Sequence, residues 1–357
     1  MTMASAGLAF GASDVLGARA STTQRKVTDK VKIAYIGIGN RGEQIINDFA
    51  RTGMVEVVAL CDVDMGAAHT QKVMNQYPKA KRFRDFRQMF DKAGNDFDAV
   101  AIATPDHSHF PISMLALASG KHVYVEKPLA ASYNDCIRIN RVSEQTGVPC
   151  FVAYYRRYLP YFRKVKQIVE QGGIGNVLNV QVRFSVPPRD LDYTSGKEMP
   201  WRLQPDISGG GYFYDLAPHQ IDLLQDIFGV ITRAHGYPAN RAHLYEAEDT
   251  ISACFYFESG IPGSGSWCFV GHESAKEDRI EIVGDKGSLS FSVFDYDPIL
   301  LVTSAGKTSI VVPNPSYVQL PIIKTVIEDL QGIGTCESTC VEATPTNWVL
   351  DRILWKN

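Results

Sequence analysis

The chain has 357 residues, of which 45 % are hydrophobic and 21 % charged, with a formal net charge of −3. The length suits two domains sharing an interface better than one core, and the composition is that of an ordinary globular protein. No concentrated run of Lys or Arg is available to grip a phosphate backbone, which argues against nucleic acid as the main ligand, and no segment reaches the roughly 18 consecutive apolar residues of a membrane span.

Residues 1–27 stand apart. MTMASAGLAFGASDVLGARAS is rich in Ala and Gly, and Ala18-Arg19-Ala20 forms an A-x-A-like processing site, without the positive segment of a secretory signal. Two readings remain open: a disordered arm, or the remnant of an export signal, which would place the protein in the periplasm rather than the cytoplasm.

Over 28–153 apolar strands alternate with helical spacing: VKIAYIG, RGEQIINDFART, VEVVALCD, MGAAHTQKVMNQY, DAVAIAT, PISMLALASG, HVYVEK, a helix from about 130 to 146, and CFVAY. Uniformly apolar strands separated by helices predict a doubly wound parallel sheet covered on both faces.

The texture changes over 154–345. After a helix near 160–172 come NVLNVQVRFSV, TISACFYFES, SGSWCFVG, RIEIVG, SLSFSVF, ILLVTS and TSIVVP, joined by short turns such as GDKGS. These predict a second α/β domain built on a large, mostly antiparallel open sheet. Its bare face suits a homo-oligomer, a dimer or tetramer. Helices at about 317–331 and 346–355 close the chain, the last (346–357) packing back toward the first domain. Seven cysteines without framework spacing read as mostly buried free thiols.

Gly37-Ile38-Gly39-Asn40-Arg41-Gly42 fits G-x-G-x-x-G between a strand and a helix, with Asp62 twenty residues on at the end of the second strand. In that context the glycines bring backbone close to a pyrophosphate at a helix N-terminus, and the acid accepts from ribose hydroxyls. The reading is a dinucleotide site. The Asp62 carboxylate would repel a 2′-phosphate and favour NAD over NADP, while Arg41 is close enough to act in the opposite sense. Thr104-Pro105-Asp106-His107-Ser108-His109 follows DAVAIAT at the carboxyl edge of the sheet, where Thr104, Pro105 and His109 would line the cofactor. A metal reading of the two histidines lacks partner ligands, which leaves them loop and cap roles.

Glu126-Lys127-Pro128 ends HVYVEK at the same edge. Lysine is an odd choice for packing there, but an ammonium in a crevice can polarise a carbonyl or lower a hydroxyl pKa. Glu126 would contact the nicotinamide ribose, and the Lys127–Pro128 bond is a candidate cis peptide. Downstream, Gly209-Gly210-Gly211 precedes Tyr212-Phe213-Tyr214-Asp215-Leu216-Ala217-Pro218-His219-Gln220-Ile221-Asp222. Pro218 predicts the first turn of a helix, with Asp215 near the N-cap and His219 just inside. His219 suits proton exchange at neutral pH, oriented by Asp215. A capping Asp and a surface His remain the bland alternative. Tyr155, Arg156 and Arg157 on one side, with Trp201, Arg202, Tyr212 and Asp222 on the other, are candidate substrate contacts.

EKP, ATPDHSHF and GGG…DxxxHxxDLL together resemble the glucose–fructose oxidoreductase / inositol dehydrogenase (Gfo/Idh/MocA) family, from about residue 31 to the final helix. The resemblance implies that Lys127, Asp215 and His219 match the family's catalytic Lys, Asp and His, with His219 the acid–base. It also implies NAD(P) as cofactor and a sugar, inositol or related polyol as substrate. Pro200-Trp201-Arg202 looks like branches acting on hexose derivatives. Two other readings stay open: a sugar enzyme with tightly held, recycled NAD and only transient oxidation, and a non-catalytic NAD-sensing regulator.

Overall fold

The computed structural model describes residues 30–189 and 199–356. The two readings of residues 1–27 therefore concern a segment outside the described residues.

The first domain is a six-stranded parallel sheet in the order β3-β2-β1-β4-β5-β6. Its strands are β1 (Val31–Ile36), β2 (Val55–Cys61), β3 (Lys81–Phe83), β4 (Ala99–Ile102), β5 (His122–Val125) and β6 (Cys150–Val152). Helices α1 (Arg41–Arg51), α2 (Ala68–Gln76), α3 (Phe86–Ala93), α4 (His109–Ala118) and α5 (Tyr133–Thr146) connect them. β4 is buried at every position, as a strand covered on both faces must be. Strand order reverses between β1 and β4, opening a crevice beyond their carboxyl ends, and the chain leaves β1, β4 and β5 at that crevice. β3 and α3 have no counterpart among the expected segments: β3 is a three-residue edge strand starting Lys-Arg, too short and too charged to show a pattern.

The second domain carries α6 (Pro160–Glu170), β7 (Val177–Ser185), α7 (Pro205–Ser208), α8 (Gly211–Phe228), β8 (Ile231–Ala239), β9 (Thr250–Phe257), β10 (Pro262–Cys268), β11 (Glu277–Gly284), β12 (Gly287–Phe291), β13 (Ile299–Thr303) and β14 (Gly306–Ile310). The eight strands run β14-β13-β12-β11-β7-β10-β9-β8, with β7 and β10 the one parallel pair among them. β8 was not expected. Pro238 and Gly236 interrupt its pattern, and it lies at the sheet edge, where a proline is tolerated.

α8 lies buried against the sheet; the Phe213 ring meets Trp267 edge-on at 5.1 Å, and Trp267 Nε1 donates to Gln220 Oε1 at 2.6 Å. The expected helix start is corrected here. Pro218 stands eight residues into α8, so Asp215 and His219 occupy its second and third turns. Pro218 offers no N–H to the Tyr214 carbonyl, but burial of Phe213, Tyr214, Ala217, Ile221 and Leu224 outweighs one lost helical bond.

α9 (Leu320–Leu330) packs on α1, and α10 (Cys340–Ile353) packs on α5, α8 and β8. α10 starts at Cys340, six residues before the expected 346, because the Thr339 side chain caps it by accepting from Glu342 N. Asn347 Nδ2 donates to both the Ala130 carbonyl (2.8 Å) and Tyr214 Oη (3.2 Å). Asp351 accepts from Tyr133 N (2.8 Å) and Tyr214 Oη (2.9 Å). One helix thus stitches the loop after β5 to α8.

Candidate active site

Between β1 and α1 the backbone runs bare. A Cβ on Gly37 (φ 78°) would lie 2.6 Å from the Ala103 carbonyl oxygen, one on Gly39 2.5 Å from His69 Cδ2, and one on Gly42 1.9 Å from the Gly37 carbonyl oxygen. A side chain at Gly37 or Gly42 would strike backbone and one at Gly39 would displace the His69 ring, while Gly42 N closes the turn on the Gly39 carbonyl at 2.8 Å. That cradle matches what a dinucleotide pyrophosphate requires. Asn40 takes a left-handed φ of 42° at the same turn. Asp62 folds back toward the loop: Oδ2 accepts from Ile38 N and Oδ1 from Asp64 N, each at 2.9 Å.

Arg41 is already engaged. Its Nε donates to Glu126 Oε1 at 2.7 Å, and its guanidinium lies 5.3 Å from the Tyr155 ring centroid. Glu126, 6 % exposed, also accepts from Gln319 Nε2 at 2.6 Å, and Gln319 accepts from Tyr124 Oη at 3.1 Å. Burial alone would raise the Glu126 carboxyl, but Arg41 and Lys127 hold it below its usual range. Arg41 is therefore placed as the counter-charge of a buried carboxylate, with its side chain still 30 % exposed.

Beyond β4, Ser108 Oγ donates to Thr104 Oγ1 at 2.7 Å, and the buried His109 ring lies 2.9 Å from both the Pro128 and Thr104 carbonyl oxygens. His109 thus braces the loop after β4 against the loop after β5, while Thr104 and Pro105 line the crevice wall. His107 is exposed, so the two rings do not converge.

The Lys127–Pro128 peptide is cis. Lys127 Nζ donates to the Asp215 carboxylate (2.6 Å to Oδ1) and to the Asp215 carbonyl oxygen (2.7 Å). Arg202 Nε lies 3.3 Å from Asp215 Oδ2 and stacks its guanidinium 4.4 Å from the Trp201 ring. Burial would raise the Asp215 carboxyl; Lys127 and Arg202 together hold it down and ionised. His219, one turn further on, is 6 % exposed, and its Nδ1 has no hydrogen-bond partner among the described residues. Its ring meets Tyr155 at 5.6 Å and Phe294 at 5.9 Å. Burial, then the charges of Arg156, Lys127 and Arg41, push its pKa well below 6.5. The structure therefore brings together a lysine from one domain and a neutral imidazole from the other.

Sequence reasoning missed Asp106. It is 4 % exposed, beneath α7 and within reach of the Lys127 and Asp215 charges. Burial, opposed by Lys127 and reinforced by Asp215, drives its carboxyl well above 3.8. Its place in TPDH was the only signal. An aspartate protonated when folded and ionised when unfolded loses stability as pH rises above its unfolded pKa, roughly 3.9. D106N should therefore melt higher than the parent at pH 7, and the advantage should shrink toward pH 4 in thermal scans. An equal or lower melting temperature at pH 7 would show an ionised Asp106.

Of the other candidates, Tyr155, Arg156, Trp201 and Arg202 flank this cluster, and Tyr212 packs against Tyr245 and Phe269 beside Arg189. Arg157 and Asp222 are placed elsewhere. Arg157 Nε donates to Asp222 Oδ2 at 2.8 Å, Asp222 is 1 % exposed, and Arg157 faces a separate cavity of about 490 Å³ shared with Gln225, Asp226 and Glu342. Both charges are satisfied by each other, which removes them from substrate contact. Removing one partner of a buried pair strands the other, so D222A should lower unfolding free energy by about 3–5 kcal/mol in urea titration. A loss under about 1 kcal/mol would mean Arg157 finds another partner.

Residues 31–154 match the oxidoreductase family with an NAD-binding Rossmann fold, and residues 162–290 match the GFO/IDH/MocA C-terminal domain. The chain belongs to the GFO/IDH/MocA oxidoreductase family. Within that family it is 34 % identical to Oxidoreductase P35 of Formosa agariphila over 257 residues, 71 % of this chain and 77 % of the relative. It is 24 % identical to the NAD-dependent scyllo-inositol 2-dehydrogenase of Bacillus subtilis, covering 80 % of each chain. Levoglucosan dehydrogenase in complex with NADH superposes with a TM-score of 0.80 at 20 % identity, covering 92 % of this chain and 97 % of that one. The GFO/IDH/MocA architecture thus extends over both sheets, and the glycine cradle belongs to its NAD-binding domain.

Proposed function

We propose that the protein is an NAD-dependent dehydrogenase interconverting a secondary hydroxyl and a ketone on a sugar, inositol or related polyol, with Lys127, Asp215 and His219 as its chemical residues. The carrying observation is the Lys127–Asp215 contact at 2.6 Å, which joins the nucleotide domain to the helix that bears His219. Relatives named as an inositol dehydrogenase and a levoglucosan dehydrogenase support the substrate class.

NAD, when bound, supplies the two-electron acceptor for the hydride leaving the carbinol carbon. His219 receives the hydroxyl proton as the C=O bond forms; its depressed pKa keeps it neutral and able to accept. Lys127 presents its ammonium to the oxygen on which negative charge develops, and Asp215 fixes where that ammonium stands. The cradle glycines with Asn40, Arg41, Asp62, Thr104, Pro105, His109 and Glu126 form or brace the cofactor seat. In the reverse direction the same proton returns from His219 to the alkoxide.

The test is a panel of hexoses, inositols and keto-sugars followed by NADH absorbance. Turnover of at least one class supports the reading. NADH binding without turnover of any would favour the sensing alternative, and NAD that stays bound through purification would favour transient oxidation. We further propose a homo-oligomer through the open sheet, supported by Tyr237 and Leu178, 65 % and 54 % exposed on β8 and β7; light scattering on the purified chain decides it.

A further inference from the structure

Among the cations around His219, Arg156 is set apart by having no counter-ion among the described residues. It is 5 % exposed, and its Nε donates to the Val293 carbonyl at 3.1 Å and its Nη1 to Tyr155 Oη at 2.8 Å. A guanidinium has five N–H donors and stays charged, so three donors have no partner among the described residues. Nη2 makes no hydrogen bond to the described residues, yet it is not among their sealed polar atoms, so it keeps access to open space.

Among the described residues the neighbouring carboxylates have partners of their own, although Asp278 Oδ1 makes no hydrogen bond. Asp215 is held by Lys127 and Arg202, Glu126 by Arg41 and Gln319, and Asp222 by Arg157. Asp278 Oδ2 accepts from the backbone N–H groups of Val293 (2.8 Å), Phe294 and Asp295 (3.2 Å). The two rings that flank Arg156, Tyr155 at 4.9 Å and Phe294 at 4.7 Å, are the same two that flank His219. Guanidinium and imidazole therefore share one aromatic frame, and all the charges named as acting on His219 are positive: Arg156, Lys127 and Arg41.

A buried charge without a partner is costly. Cation–π contacts offset part of that cost, but not the missing hydrogen bonds. What completes the set is a planar anion able to take two N–H donors at once.

We propose that Arg156 receives a carboxylate of the substrate, so that the polyol oxidised beside His219 is a sugar acid rather than a neutral sugar. The inference rests on the dehydrogenase reading above. One guanidinium matches the single charge and flat shape of a carboxylate; a phosphate dianion would leave one charge unanswered.

The experiment compares kcat/KM for a hexose, the corresponding hexuronate and the hexose 6-phosphate, in the parent enzyme and in R156Q and R156K, with NADH binding followed by fluorescence in each. The parent should prefer the acid over the neutral sugar by at least about a hundredfold, the scale of a buried charge-assisted pair. R156Q should lose most of that preference through KM, and R156K should restore part of it. NADH affinity should hold within about threefold, reporting an intact fold. A parent that prefers the neutral sugar or the phosphate overturns the inference, as does R156Q retaining the acid preference. NADH binding weakened tenfold or more in R156Q would reassign the guanidinium to the cofactor pyrophosphate. A parent that turns over none of the sugars would instead strike at the dehydrogenase reading itself.

Discussion

H219A and K127A should each lower turnover by at least about a hundredfold while NADH still binds, since general acid–base and electrostatic stabilisation are of that size. The two losses have different shapes. His219 is held neutral by burial and by Arg156, Lys127 and Arg41. A base with a depressed pKa stays unprotonated as pH falls, so the acidic limb of kcat/KM for alcohol oxidation should lie below pH 6.5. H219Q should abolish that limb along with most of the rate. K127A leaves Asp215 with Arg202 as its remaining partner at 3.3 Å, and K127R should recover little because a planar fork does not reproduce a point ammonium. Rates within threefold of the parent in both alanine variants would remove these residues from the chemistry.

G42A should abolish measurable NADH binding, or weaken it by at least about a hundredfold, with little change in the far-UV spectrum. The added methyl would stand 1.9 Å from the Gly37 carbonyl oxygen, a backbone atom that cannot rotate aside. Either the loop opens or α1 shifts, and both displace the N–H groups that a pyrophosphate would meet. G94A makes the control, because a Cβ at Gly94 meets nothing within 4 Å. If G42A binds NADH within threefold of the parent, the groove at α1 is not the cofactor seat.

Much of this was legible in the chain. The parallel sheet announced itself because strands such as AVAI are buried on both faces and carry no polar residue to blur them. The glycine loop could be read because three glycines, two of them facing backbone, fall at a fixed spacing between a strand and a helix. Features set by distant contacts could not. Pro218 signals a helix start locally, and only burial of the surrounding aromatics places it in the third turn of α8. Arg157 and Asp222 both suit a sugar site by residue type, yet each is consumed by the other across 65 positions. Asp106 looks like any loop aspartate until α7 closes over it. The pairing of Arg41 with Glu126 spans 85 residues and leaves no local trace in the chain.

Asn347 and Asp351 tie Ala130 and Tyr133, just past Lys127, to Tyr214, which adjoins Asp215. The spacing of the proposed chemical residues is thus gauged by the last two turns of a helix that supplies none of them. A chimera grafting this nucleotide half onto a relative's sheet half would inherit a mismatched gauge unless the final helix travelled with its matching partners.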